Sequence, residues 1–135
     1  MSVEEFTDVI NSTKAQGENF YLHVMGEPTA HPHFADFLKI CKENGVKVNI
    51  TTNGTLLHRV GDAIIENTVR SVSVSMHSFE ANELNKDMKD YLDKIMDFCK
   101  KSIGSGITVE LRHRPHNVPT KAERERQQVI RFNAR

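Results

Sequence analysis

The alternation of two hydrophobic periodicities constrains this chain more than any other feature of its sequence. Apolar residues three or four positions apart, as at Phe34, Leu38 and Cys41, indicate amphipathic helices. Short β-rich runs lie between them, such as Val46 to Ile50. Strands that are separated by helices are typical of a parallel sheet with right-handed crossovers. We therefore expect an α/β fold with a parallel sheet.

The same two patterns predict four helices and four strands in strict alternation. Ser2 and Glu5 have the spacing of a capping box at the start of the first helix. Glycines follow three of the predicted helices and suit their ends. The predicted helices begin at Val3, Phe34, Leu57 and Met88, and the predicted strands are Phe20–Val24, Val46–Ile50, Val69–Val74 and Ile107–Leu111.

Composition indicates one domain of ordinary globular character. The chain has 135 residues, of which 38% are hydrophobic and 27% are charged. No stretch is apolar enough for a membrane span, and the chain opens without the pattern of a secretory leader. Its two cysteines cannot build a disulfide scaffold, and free thiols suit a reducing compartment. We expect a cytoplasmic protein that does not interact with membranes.

Charge divides the chain into a domain over residues 1–111 and a basic tail over residues 112–135. The tail carries seven Lys and Arg against two Asp and Glu. Residues Lys121 to Phe132 could form a helix, so we expect the tail to be helical or disordered. Its charge suits a partner or RNA, or simply contact with solvent. Aromatic residues for base stacking do not interleave with the charges, which argues against nucleic acid without excluding it.

Polar residues or glycine follow each predicted strand, and a parallel sheet brings these positions to one edge. The first strand is followed by Gly26, Glu27 and Pro28, and the second by Asn53. This convergence at the carboxyl ends of the strands predicts a binding site.

The Gly26-Glu27-Pro28 segment has the properties of a small cradle for an amine. Glycine lets the backbone approach a ligand, and a carboxylate suits an ammonium group. Pro28 favours an extended conformation of Glu27, which would hold the carboxylate in place. An exposed turn with an incidental acid explains the same three residues equally well.

The other strand ends also have two interpretations each. Asn53 suits either a functional position or a simple turn. Ser75 and His77 could each hydrogen-bond a ribose hydroxyl, but Ser78 and its neighbours could instead cap the next segment. Arg112 could bind a carboxylate of a ligand or pair with Glu110.

Three segments together resemble the radical S-adenosylmethionine superfamily. Residues Leu22 to Pro32 are similar to its GGEP segment, with Met25 in place of the first glycine. Residues Val48 to Leu56 resemble its next strand, which ends in Thr-Asn-Gly. Residues Val72 to Ser78 resemble the strand after that, and the three matches follow the order of the family.

The resemblance implies a partial (β/α) barrel that binds S-adenosylmethionine. Gly26 and Glu27 would hold the amino end of its methionine part, Ser75 and Asn53 would lie near the ribose, and Arg112 would reach the carboxylate. The implied reaction is reductive cleavage to a 5′-deoxyadenosyl radical with a 4Fe–4S cluster. The residues predicted to bind the cofactor are Gly26, Glu27, Pro28, Asn53, Ser75 and Arg112.

The sequence departs from the family in its cysteines. The family holds its cluster with three cysteines in a CxxxCxxC loop, whereas this chain has only Cys41 and Cys99, both on apolar helical stripes. We therefore expect a truncated member that lacks the first strand and the cluster loop and is inactive alone. A partner chain or an upstream segment could restore that loop.

Two other classes of function remain open from the sequence. The chain could be a binding or interaction module for an adenosyl ligand, without redox chemistry. A metal-dependent hydrolase using His23, His31 and His33 is less well supported, because no HExxH motif is present. The substrate is not predicted.

Overall fold

A computed structural model of the chain describes residues 1–17, 19–22, 26–67, 69–76, 86–112 and 129–133. Helices and strands alternate in it as the periodicities predict. The helices are α1 (Val3–Thr13), α2 (Phe34–Glu43), α3 (Leu57–Glu66) and α4 (Lys86–Ser102). The strands are β1 (Asn19–Leu22), β2 (Lys47–Thr52), β3 (Val69–Ser75), β4 (Thr108–Arg112) and β5 (Val129–Asn133). Single 3₁₀ turns occupy Lys14–Gln16 and Pro28–Ala30.

The five strands form one sheet in the order β1-β2-β3-β4-β5. The first four strands are parallel, and β5 is antiparallel to β4. Right-handed crossovers between strands in sequential order put every connecting helix on the same face of the sheet. Successive helices accordingly contact each other, from α1 through α4. The predicted α/β fold with a partial (β/α) barrel is therefore confirmed.

The two faces of the sheet differ sharply in polarity, because successive side chains on a strand point to opposite sides. Val48 and Ile50 on β2, and Val72 on β3, are almost completely buried in the core shared with the helices. The alternate positions carry polar side chains, among them Asn49 on β2 and Ser71 on β3, and the Ser71 hydroxyl donates to Asn49 Oδ1 at 2.7 Å. The face away from the helices is thus polar.

Helix α1 begins with the predicted capping box. The Glu5 N–H donates to Ser2 Oγ at 3.1 Å, and the Ser2 N–H donates to Glu5 Oε2 at 2.7 Å. Further along the helix, Phe6 stacks on Phe37 of α2 with ring centroids 4.2 Å apart. This contact fixes α1 beside α2, next to the edge of the sheet that β1 forms.

Helix α4 is the longest helix among the described residues, with 17 residues. Its inner side is formed by the buried side chains of Tyr91, Ile95 and Phe98. Its exposed side carries ion pairs one turn apart, such as Lys89 with Asp93 at 2.8 Å, which contribute only about 0.3–0.5 kcal/mol each. In the part of the chain that the structure describes, no helix has the length and apolar character needed to cross a membrane.

The expectation for the basic tail needs correction at two places. Arg112 is the last residue of β4 rather than the first residue of a tail. Residues Val129–Asn133 form β5 instead of a helix, because pairing with β4 satisfies their backbone and valine, isoleucine and phenylalanine favour strands. The rest of the suggested helix, Lys121 to Gln128, lies outside the described residues.

We predict that Gly54→Ala destabilises the fold by about 2–4 kcal/mol. Gly54 has a φ of +81°, and an added Cβ would lie 2.7 Å from Cγ1 of the buried Val74. The measurement is the free energy of unfolding from urea denaturation at equilibrium.

The matched control is Gly104→Ala, because Gly104 has a similar φ of +85° with nothing within 4 Å of the added Cβ. It carries only the backbone cost of about 1–2 kcal/mol. Equal losses in the two variants would contradict the contact with Val74.

Candidate functional site

The carboxyl ends of β1 to β4 form one continuous rim. Parallel register pairs Leu22 with Ile50, Thr52 with Val74, and Ser75 with Arg112. The predicted positions after the strands are therefore brought to the same edge of the sheet. The rim is the candidate functional site.

The Glu27 carboxylate lies where the rim passes from β1 to β2, and it accepts four hydrogen bonds from the described residues. Its Oε1 accepts from the hydroxyls of Thr29 and Thr52, both at 2.5 Å, and from the Thr29 N–H at 3.2 Å. Its Oε2 accepts from the Asn53 N–H at 2.7 Å. One half-buried acid thus ties the segment after β1 to the end of β2.

All four of these donors are neutral. Among the described residues, no lysine, arginine or histidine nitrogen lies within 4.0 Å of the Glu27 carboxylate. The donors orient the carboxylate and offset the cost of its desolvation, but the described part of the chain supplies no cation for its negative charge.

The neighbours of Glu27 shape the backbone as predicted. Pro28 opens a 3₁₀ turn, and Glu27 before it is extended at φ −98° and ψ 107°. Gly26 is exposed with a φ of +102°, a conformation that favours glycine, and apart from its chain neighbours no described residue has an atom within 4 Å of where its Cβ would be. The backbone beside the carboxylate is therefore open to an approaching group.

Asn53 donates to Glu27 and also stabilises the turn after β2. Its Oδ1 accepts from the N–H and the hydroxyl of Thr55 at 2.9 Å and 2.7 Å, which is an Asx turn. Its backbone carbonyl accepts from the Tyr91 hydroxyl of α4 at 2.6 Å. Burial, and then the nearby charge of Glu27, raise the pKa of Tyr91 to about 12, so its hydroxyl stays a donor at neutral pH. The predicted turn is present, and hydrogen bonds from Thr55 and Tyr91 hold it in place.

Ser75 and Arg112 stand side by side at the other half of the rim, on the polar face of the sheet. Arg112 Nη2 donates to Glu110 Oε2 at 3.0 Å, and Ser73 donates weakly to the same oxygen at 3.4 Å. Of the two interpretations of Arg112, pairing with Glu110 is therefore present. The Arg112 side chain is still 47% exposed, so its remaining N–H groups can reach a ligand.

The two cysteines do not fit the ligands of an iron–sulfur cluster. Cys41 on α2 and Cys99 on α4 are buried in the apolar core, and neither lies at the rim. Burial raises the pKa of the Cys41 thiol to about 11 and also raises that of Cys99, which disfavours the thiolate form that binds metal. Two thiols in these positions cannot hold a 4Fe–4S cluster.

The histidines of the suggested hydrolase site serve the start of α2 in the described region. His31 Nδ1 accepts from the His33 N–H at 3.1 Å, and His33 Nδ1 lies 3.1 Å from Asp36 Oδ2. His23 lies outside the described residues. Within the described ranges, no three His, Cys, Asp or Glu side chains gather as a set of metal ligands.

An apolar groove of about 430 Å³ runs from residues 26–28 along β1. Phe6 and Ile10 of α1 and Phe20 of β1 contribute to its walls, and Gly26 and Glu27 lie at one end. The groove therefore follows the outer edge of the sheet and reaches the rim.

Sequence reasoning missed three residues of the site: Thr29, Thr52 and Tyr91. Every second residue of β2 is buried, and Thr52 is the next buried position after Val48 and Ile50. A buried hydroxyl at the end of a strand needs a hydrogen-bond partner. That signal was available. The contact between Tyr91 and Asn53 joins residues 38 positions apart and had no local sign.

Comparison with known proteins agrees on the family. A family model of the radical SAM superfamily matches residues 1–132. A probable GTP 3′,8-cyclase of Sulfurisphaera tokodaii is 34% identical over 85 residues, which cover 61% of this chain and 27% of that protein. A GTP 3′,8-cyclase of Alkaliphilus oremlandii is 26% identical over 111 residues, which cover 80% of this chain and 35% of that protein.

A shorter match is 49% identical over 37 residues to the tungsten-containing aldehyde ferredoxin oxidoreductase cofactor-modifying protein of Pyrococcus furiosus. That match covers 27% of this chain and 10% of that protein. The chain thus spans about a third or less of the length of these curated relatives.

Two solved structures of TYW1 are also similar, one described as archaeal and one with a lysine-pyruvate adduct bound. They have TM-scores of 0.41 and 0.42 at 17% and 16% identity. They cover 82% and 89% of this chain, and 50% and 52% of theirs. Because the superfamily model extends over nearly all of its length, the chain belongs to the radical SAM superfamily.

Proposed function

We propose that the rim binds S-adenosylmethionine, with the ammonium of its methionine part on Glu27. The observation that carries this proposal is the Glu27 carboxylate, which has four neutral donors and no cation partner among the described residues. A ligand ammonium would supply the missing positive charge in a partly desolvated place, where an ion pair is stronger than in water. The open backbone at Gly26 leaves room for that group.

Asn53, Ser75 and Arg112 would contact the rest of the ligand through polar groups that their hydrogen bonds within the protein do not use. The Oδ1 of Asn53 is used by Thr55, so its amide nitrogen is the group that would face a ribose hydroxyl. Ser75 lies on the same rim beside Arg112. Arg112, held from one side by Glu110, would direct its other N–H groups to the ligand carboxylate.

We propose that this chain does not cleave S-adenosylmethionine by itself. In the superfamily, a 4Fe–4S cluster supplies the electron for that cleavage, and the buried Cys41 and Cys99 do not suit it. Three suitable cysteines would have to come from another segment or from a partner chain. Until then the rim acts as a binding module, which is also the alternative that the sequence left open.

We predict that Glu27→Gln weakens the binding of S-adenosylmethionine by about 10- to 100-fold, because a hydrogen bond to a charged group contributes about 1.5–3 kcal/mol. Glutamine keeps the size of the side chain and removes its charge. Isothermal titration calorimetry on the purified chain measures the change.

The control for this titration is Asp36→Asn, which neutralises an exposed acid on α2 whose partner among the described residues is His33. It should bind the ligand as the wild type does. Equal affinity of the wild type and Glu27→Gln would remove Glu27 from the site, and no binding by the wild type would contradict the proposed function.

We also predict that anaerobic reconstitution with iron and sulfide leaves no stable cluster on the chain. The absorption band at about 400 nm that thiolate–iron bonds produce should be absent after desalting. The double variant Cys41→Ala and Cys99→Ala is the control for iron bound non-specifically. A stoichiometric cluster that the wild type keeps and the double variant loses would overturn this part of the proposal.

A further inference from the structure

The two oxygens of the Glu27 carboxylate are used very unequally. Oε1 accepts three hydrogen bonds, two from the hydroxyls of Thr29 and Thr52 and one from the Thr29 N–H. Oε2 accepts one, from the Asn53 N–H. Since a carboxylate oxygen has two lone pairs, the donors among the described residues saturate Oε1 and leave one position free on Oε2.

The two threonines are held in this arrangement by burial. Thr29 is 3% exposed and Thr52 is 2% exposed. Thr52 Oγ1 also accepts from the Gly54 N–H at 3.0 Å, which directs its proton towards Glu27. The two hydroxyl oxygens are 3.5 Å apart, so each is closer to Oε1 than to the other. Neither hydroxyl can easily turn away to release Oε1.

We propose that Thr29 and Thr52 act as positioning residues that leave Glu27 one free acceptor position, on Oε2. With that one position, Glu27 selects a primary ammonium over a guanidinium. This proposal rests on the proposed function, because it concerns the group that Glu27 receives. A guanidinium forms its strong pair with a carboxylate through two parallel bonds, which need both oxygens. An ammonium is a compact charge that one oxygen can serve.

The selection follows from the same contacts that orient the acid. Because protein hydroxyls occupy Oε1, a guanidinium that binds both oxygens would have to displace a buried threonine and leave its hydroxyl without a partner. A buried donor without a partner is costly, so binding of the guanidinium through both oxygens is disfavoured. The ammonium needs only the free position on Oε2, and it leaves the threonines in place.

The test compares Thr52→Val, which loses the hydroxyl, with Thr52→Ser, which keeps it. The first measurement needs no ligand: amide hydrogen exchange at Asn53, read by NMR. We expect exchange at Asn53 to become about tenfold faster in Thr52→Val, because the carboxylate is no longer held against its N–H. Thr52→Ser should exchange as the wild type does, and the amide of Val72 in β3 reports any loss of global stability.

The second measurement uses two ligands that differ only at the α-amino group: S-adenosylmethionine and its derivative in which that amine is converted to a guanidine. The wild type and Thr52→Ser should prefer the amine by about tenfold or more, and Thr52→Val should reduce that preference several-fold. Thr29→Val repeats the test from the other hydroxyl, should Thr52→Val fail to fold.

The outcomes separate the two proposals. Unchanged Asn53 exchange in Thr52→Val would overturn the positioning by the threonines, whether or not the ligands bind, and an unchanged ligand preference in that variant would overturn the selection. Binding of neither ligand by the wild type would overturn the proposed function and the selection together, while faster Asn53 exchange would still support the positioning of Glu27. A Thr52→Ser variant that behaves as Thr52→Val would show that the hydroxyl is not responsible.

Discussion

A single ionisable side chain holds together the half of the candidate site that lies at the ends of β1 and β2. Glu27 follows β1, yet its carboxylate is held by Thr52 and Asn53 at the end of β2 and by Thr29 in the intervening turn. Parallel strands that pair along their length do not by themselves fix the loops beyond their ends. Here two of the four hydrogen bonds, from the Thr52 hydroxyl and the Asn53 N–H, fix one of those loops against the next strand, and they do so without adding a positive charge. At Glu27 the rim therefore combines a defined shape with a carboxylate that no cation among the described residues pairs.

Much of the fold could be predicted because its helices are buried on one side only. A helix that packs on a sheet repeats its apolar residues every three or four positions, as Phe34, Leu38 and Cys41 do, and their burial confirms the pattern. The placement of Ser75 beside Arg112 followed from a general rule, since strands that run in parallel end at the same edge. These predictions needed only local patterns and the handedness of connections.

Other features depended on contacts that no local pattern records. Residues 129–133 have a charged neighbourhood that suited a solvated tail, and they become a strand only because β4 offers an edge to pair with. The interpretation of Arg112 stayed open because its side chain shares a strand face with Glu110, two positions before it, and also lies at the rim. The hydroxyl of Tyr91 reaches the turn at Asn53 only after α4 has packed on the sheet.

The antiparallel β5 has a consequence for how this sheet can grow. With β3 on one side and β5 on the other, β4 has no edge left for another parallel neighbour. Among the described strands, only the outer sides of β1 and β5 remain at the margins of the sheet. With neighbouring strands about 4.8 Å apart, those margins are separated by roughly 20 Å. A strand that joined at β1 would run beside the Glu27 loop, whereas one that joined at β5 would lie at the opposite margin of the sheet.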